Sequence, residues 1–139
     1  MGLLNWLFDM MKGQNTVEVS TSAPSYAKSV WEQEYFRDDS YFDGIINSAN
    51  FEGYEIETKV HPQVLDSNAH PSCMPIAYLF KKDGGAVLTV LVIKKNQRSA
   101  MITKGTRDIL EVRRIPHINF YREMENESGY VVNRIKDNL

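Results

Sequence analysis

The hydrophobic and polar positions between residues 75 and 95 form the clearest pattern in the chain. Two apolar runs flank the charged stretch 81–85, and the second run, 86–93, contains no charged residue. A short polar turn between two apolar runs is typical of a β-hairpin, and a continuous apolar strand is typical of one buried on both faces. The pattern therefore predicts strands over 75–81 and 86–95, the second of which ends in Lys94 and Lys95.

Residues 54–60 alternate strictly between apolar or small and charged side chains, which predicts a half-buried strand near a sheet edge. Its predicted inner face consists of Tyr54, Ile56, Thr58 and Val60. Residues 117–122 predict a fourth core strand.

Helical spacing of apolar residues recurs in four further segments of the domain. It predicts helices over 27–37, 41–50, 99–114 and 129–139. In the second of them, Asp38, Asp39 and Ser40 form the predicted N-cap cluster, and Phe42, Ile45 and Ile46 point inward. In the helix over 99–114, Ser99 is the predicted N-cap, and the predicted inward stripe is Ile102, Ile109 and Val112.

The predicted order of elements is ααβββαβα. It indicates a mixed α/β domain in which a four-stranded mixed sheet is flanked by helices on both faces. The helix between the third and fourth strands should form a right-handed crossover, so that these two strands run parallel.

The N-terminal segment differs from this domain in composition. Leu3, Leu4, Leu7, Phe8 and Met11 share one helical face, which predicts a short amphipathic helix over 3–11. The polar stretch 13–25 indicates a linker, so we divide the chain into residues 1–25 and a single domain over 26–139. The apolar helix could pack on the domain, mediate self-association or contact a membrane surface peripherally.

Composition and charge narrow the class of protein. The 139 residues are 42% hydrophobic and carry a net charge of −2, which suits a globular domain. No apolar run approaches the roughly 20 residues that span a bilayer. Cys73 is the one cysteine, so no intramolecular disulfide can form, and we expect a cytoplasmic protein.

The charges are distributed unevenly along the chain. Residues 94–139 hold 10 lysines and arginines against 6 aspartates and glutamates, a net charge of +4. The candidate phosphate-binding or nucleic-acid-binding cluster lies at its start and consists of Lys94, Lys95, Arg98, Lys104 and Arg107. A strand exit followed by a helix N-terminus places such side chains beside free backbone N–H groups. These basic residues could equally be balanced by the acidic first part of the chain.

Other candidate sites have weaker patterns. His70 and Cys73, with His61 upstream, could ligate zinc, but a structural zinc site needs four ligands. We therefore predict a loop over 63–74 with Cys73 packed against the sheet, and no metal site. A nucleophilic pair of Cys73 and His117 would need the fold to bring them together.

The element order and the lysine at the end of the third strand resemble the PD-(D/E)xK nuclease superfamily, over about residues 27–139. The resemblance implies a restriction-endonuclease-like fold. It also implies Mg²⁺ held by an Asp in the second strand and a Glu in the third, with a Lys two residues later that orients the attacking water. Lys94 matches that lysine, but Ala77 and Val92 stand at the two carboxylate positions.

Other carboxylates could replace the missing pair. Asp83 lies at the far end of the third strand from Lys94, whereas Glu34, Glu55 and Glu57 could reach the site from other elements.

Three functions follow from the sequence. We expect a nuclease-fold domain without catalysis or cofactor, which acts as a binding module, with DNA or RNA as candidate partner. The alternatives are an active Mg²⁺-dependent nuclease with relocated carboxylates, and a structural protein that associates through residues 3–11.

Overall fold

The computed structural model describes residues 35–139, which form one compact unit. Its three α-helices are α1 (Asp39–Ser48), α2 (Met101–Val112) and α3 (Ser128–Asp137). Its four strands are β1 (Glu55–Val60), β2 (Ile76–Lys82), β3 (Gly85–Ile93) and β4 (His117–Tyr121). Short 3-10 helices follow β1 and β3 at Pro62–Val64 and Lys95–Gln97.

The four strands form one mixed sheet in the order β1-β2-β3-β4. β2 is antiparallel to both of its neighbours, and β3 and β4 are parallel across the α2 connection. This confirms the predicted mixed α/β class. The predicted helix over 3–11, the linker over 13–25 and most of the helix over 27–37 lie outside the described residues. Tyr35 and Phe36, at the end of the latter, are not helical.

Strand β3 is buried on both faces, as its continuous apolar sequence predicts. Leu88, Val90 and Val92 face a core layer shared with α1 and α3. Leu91 and Ile93 face a second layer that includes Leu110 of α2. Helices therefore cover both faces of the sheet, and the central strand is shielded from water by both layers.

A two-residue turn joins β2 to β3. Asp83 and Gly84 have φ values of +52° and +81°, and Lys82 pairs with Gly85. Positive φ at both central residues is the geometry that suits a tight hairpin, and Gly adopts it without steric cost. The strands thus reach one residue further into the turn than the apolar runs indicate.

Strand β1 is an edge strand, as predicted, but the alternation of inward and outward side chains does not continue to its last residues. Lys59 has a φ of +53°, and Val60 packs in the α2-side layer, whereas Ile56 packs in the opposite one. Thr58 is exposed, so its predicted inward position is wrong. A left-handed residue inside a strand redirects the side chains around it.

Helix α2 is rotated relative to the sequence prediction. Its buried residues are Thr103, Thr106 and Leu110, whereas Ile102 is exposed and Val112 is 77% exposed. The predicted cap Ser99 is also wrong, because the N-cap is Ala100.

Close contact with the loop that precedes β2 explains this rotation. The backbone N–H of Met74 donates to Ile102 O at 2.9 Å, and Thr106 Oγ1 donates to Met74 O at 2.6 Å. A Cβ on Gly105 would lie 2.9 Å from Cys73 Sγ. Small side chains on this face let the loop backbone reach the helix, and larger apolar ones would block it.

We expect Gly105→Ala to lower the free energy of unfolding by about 1 kcal/mol, because overpacking costs about 1–3 kcal/mol and helix propensity offsets part of it. Urea denaturation measures the change. In the Cys73→Ala background the same substitution should cost less, since the sulfur that the new methyl meets is gone. Equal costs in both backgrounds would contradict this packing account.

Candidate functional site

A cleft of 420 Å³ opens where β2 begins and β3 ends. Ala77 and Val92, which stand at the carboxylate positions of the nuclease pattern, both line it. Its charged and polar lining comes from four other parts of the chain: Asp39 and Asp43 of α1, Lys59 and His61 around the end of β1, Tyr78 of β2, and Arg122 after β4. The cleft therefore gathers two carboxylates and two cations at one edge of the sheet.

Asp39 is held between two cations. Arg122 Nη2 donates to its Oδ1 at 2.6 Å, and Lys59 Nζ lies 3.6 Å from Oδ2. The Arg122 hydrogen bond, and then the two positive charges, lower the pKa of Asp39 below its usual value. Asp39 is therefore an ionised carboxylate with both oxygens engaged.

Asp43 lies one turn after Asp39 on the same helix face. Its Oδ1 accepts a hydrogen bond from the Tyr78 hydroxyl at 2.6 Å. Burial, followed by this hydrogen bond, raises the pKa of Tyr78. Tyr78 is thus a neutral donor that fixes the position of Asp43.

His61 has both ring nitrogens engaged. Its Nδ1 accepts from the Gln63 backbone N–H at 3.1 Å, so its Nε2 carries the proton and donates to Pro71 O at 2.9 Å. The ring holds the loop after β1 and has no nitrogen left to act as a base.

Lys94 does not line the cleft. It follows β3 as the N-cap of the 3-10 helix, is exposed, and has its Nζ 5.9 Å from the centroid of the Phe36 ring. The expected catalytic lysine therefore lies outside the pocket that Val92 lines.

The basic cluster stays on the surface next to Lys94. Lys95 and Arg98 are exposed, Lys104 Nζ lies 3.0 Å from Asp108 Oδ2, and Arg107 Nη1 donates to Arg98 O at 2.8 Å. The Lys95 backbone N–H donates to Glu123 Oε1 at 2.9 Å. Lys94, Lys95 and Arg98 thus share one turn, and Arg107 of α2 contacts that turn. Lys104 lies on the first turn of α2, where Asp108 partly neutralises it.

The remaining candidate residues have structural contacts. Glu57 Oε2 accepts from Lys81 Nζ at 3.0 Å, and His70 Nδ1 accepts from the Ser72 backbone N–H at 3.1 Å. Cys73 is buried, as expected, but the contact of its sulfur is with Gly105 of α2, whereas the sequence predicts packing against the sheet. His117 Nε2 lies 3.8 Å from Glu111 Oε2. Glu34 lies outside the described residues, and Glu55 does not line the cleft.

The cleft does not fit the metal site that the nuclease pattern implies. Ala77 and Val92 offer no side-chain oxygen, and Asp39 is already neutralised by Arg122 and Lys59. Within residues 35–139, no group of three or more His, Cys, Asp or Glu side chains is arranged to hold a metal ion.

Sequence reasoning missed most of the polar residues of this cleft. The sequence identifies Asp38 and Asp39 only as part of a helix cap, and Asp38 does cap α1 by accepting from the Tyr41 backbone N–H. The spacing of Asp39 and Asp43 is a signal that they share a helix face. No sequence signal places Tyr78 or Arg122 beside them, because both contacts span distant parts of the chain.

Comparisons with protein-family models, curated proteins and solved structures gave no match for this chain. The resemblance to the nuclease superfamily therefore remains a hypothesis. Among residues 35–139, none of the helices combines the length and the apolar character that crossing a membrane requires.

We expect Asp39→Asn to lower the free energy of unfolding at pH 7 by up to about 1 kcal/mol, because solvent screens this partly exposed ion pair. A carboxylate with a lowered folded pKa stabilises above its unfolded pKa of about 3.9 and loses that contribution as the pH falls through its folded pKa. The difference from the parent protein should therefore shrink below about pH 4. Urea denaturation between pH 7 and pH 3 measures it.

Asp137→Asn, at the exposed end of α3, is the matched control and should leave this pH dependence unchanged. An Asp39→Asn effect that stays constant across the pH range would rule out the ionic contribution of Asp39.

Proposed function

We propose that the domain is a non-catalytic binding module for the phosphate backbone of nucleic acid. The binding surface is the basic segment, which we define as Lys94, Lys95, Arg98, Lys104 and Arg107. The observation that carries the proposal is the exposure of Lys94, Lys95 and Arg98 on the turn that follows β3. Lys94 and Arg98 form no ion pair with another residue of the described part of the chain.

The local geometry supports this surface. Gln97 Oε1 accepts from the Lys94 backbone N–H at 2.8 Å, and Arg107 holds the carbonyl of Arg98. These bonds fix the turn between β3 and α2. A fixed turn loses less conformational entropy when its lysines and arginine engage phosphates.

The contents of the cleft support a role without catalysis. A nuclease of this type needs free carboxylate oxygens for a hard divalent ion. Here Asp39 binds Arg122 and Lys59, and Asp43 binds Tyr78. The carboxylates near Val92 are therefore already engaged in contacts within the protein.

We expect the protein to bind a fluorescein-labelled single strand of about 20 nucleotides in anisotropy titrations. Its affinity for the strand should fall as salt rises from about 50 to about 200 mM. The triple charge reversal Lys94→Glu, Lys95→Glu and Arg98→Glu should reduce the affinity at least about tenfold. It should also flatten the slope of log Kd against log salt, by roughly 0.7 for each phosphate that the variant no longer neutralises.

The matched control reverses three exposed basic residues elsewhere, Lys82→Glu, Arg114→Glu and Lys136→Glu. It changes the net charge equally. Equal loss of affinity in the two triple variants would indicate a general charge effect, and absence of binding by the parent protein at low salt would refute the proposal.

A second candidate function is an active metal-dependent nuclease with carboxylates from α1. It is favoured by one observation: Asp39 and Asp43 line the same cleft as Ala77 and Val92. A divalent ion would have to displace Arg122 or Tyr78 from these aspartates.

We expect no cleavage of single-stranded or plasmid DNA above the background that remains with EDTA, in either Mg²⁺ or Mn²⁺. The Asp43→Asn variant is the control for contaminating nucleases, which it should leave unaffected. Cleavage that requires the metal and is abolished by Asp43→Asn would establish the second candidate instead.

A further inference from the structure

A second cavity, of 630 Å³, lies between the end of β4 and α3. Asn119 and Phe120 of β4, Met124 of the following loop, and Tyr130 and Arg134 of α3 line it, together with Arg98 of the basic segment. Its volume lies within the range of about 300–1,000 Å³ that is common for small-ligand sites. The proposed binding of nucleic-acid phosphates by the basic segment does not require this cavity.

The cavity presents aromatic and thioether surface to solvent. Tyr130 is 52% exposed and meets the buried Phe120 edge to face, with ring centroids 6.0 Å apart. Met124 is 47% exposed. An accessible ring held by a second aromatic residue is the platform on which unpaired bases stack in proteins that bind single strands.

Arg134 fixes the floor of the cavity. Its guanidinium donates to the backbone carbonyl of Asn119 and lies 5.0 Å from the centroid of the Phe120 ring. Arg134 forms no ion pair with another residue of the described domain. Asn126 Nδ2 donates to Tyr121 O at 2.7 Å and holds the loop that carries Met124.

The charges around the cavity indicate the direction of a bound nucleotide. Arg98 connects it to the basic segment, whereas Glu125 and Glu127 lie on its lining. A phosphate is attracted to Arg98 and repelled by the glutamates. Carboxylates instead accept hydrogen bonds from base amino groups.

We infer that this cavity binds an unpaired nucleobase of a single strand whose phosphates run along the basic segment. The inference rests on the proposed function, since Arg98 belongs to both surfaces. Tyr130 supplies the stacking surface, and the carboxylates of Glu125 and Glu127 on the lining accept from the amino groups of the base.

Anisotropy titrations with two labelled strands of equal length test this, one with normal bases and one fully abasic. The parent protein should bind the normal strand roughly 5- to 150-fold more tightly, which is the range for stacking of one base. Tyr130→Ala should remove most of this preference and leave the affinity for the abasic strand unchanged.

Val112→Ala, on the exposed side of α2, is the control and should change neither affinity. Thermal unfolding checks that each variant is folded. Equal affinity of the parent protein for both strands, or an equal loss on both strands in Tyr130→Ala, would overturn the base pocket and leave backbone binding intact. Failure of both strands to bind would overturn the proposed function itself.

Discussion

The burial of β3 on both faces is the constraint on which the rest of this domain depends. Leu88, Val90 and Val92 need one apolar layer and Leu91 and Ile93 need another. α1 and α3 supply the first layer, and α2 supplies part of the second. Because β3 pairs with β2 on one side and β4 on the other, its register also determines where the ends of β3 and β4 lie relative to the start of β2. The cleft, the cavity proposed to bind a base and the basic segment all lie at that edge.

Arg122 connects the parts of this edge. Its backbone N–H donates to Ile93 O at 2.8 Å, at the end of β3. Its side chain donates to Arg37 O and to Asp39 Oδ1, at the start of α1. One residue thus joins the end of β3, the segment after β4 and the first helix described. The charge of Asp39 is used in this connection, and metal binding would have to compete with it.

The two candidate functions differ in the kind of charged side chain that must be free of partners. Nuclease chemistry needs carboxylates that are poor in partners, whereas recognition of a polyanion needs cations that are poor in partners. In this domain both aspartates of the cleft are engaged, and Lys94 and Arg98 have no ion pair with another described residue. This distribution favours binding over catalysis.

Much of the fold follows from local patterns. The hairpin follows from two apolar runs around Asp83 and Gly84, and the edge position of β1 follows from its alternation. The rotation of α2 does not, because hydrophobicity alone favours burial of Ile102 and Val112. The loop at Cys73 and Met74 instead requires small residues on the inner face. Such a requirement exists only once the loop and the helix have met.

The sequence on its own therefore determined the elements, their class and the positions of Ala77, Val92 and Lys94, since these depend on neighbours within a few residues. It could not pair Asp43 with Tyr78 or Asp39 with Arg122, which are 35 and 83 residues apart. Nor could it separate Lys94 from the cleft that Val92 lines. Those outcomes depend on how distant elements approach one another, which is set by packing across the sheet.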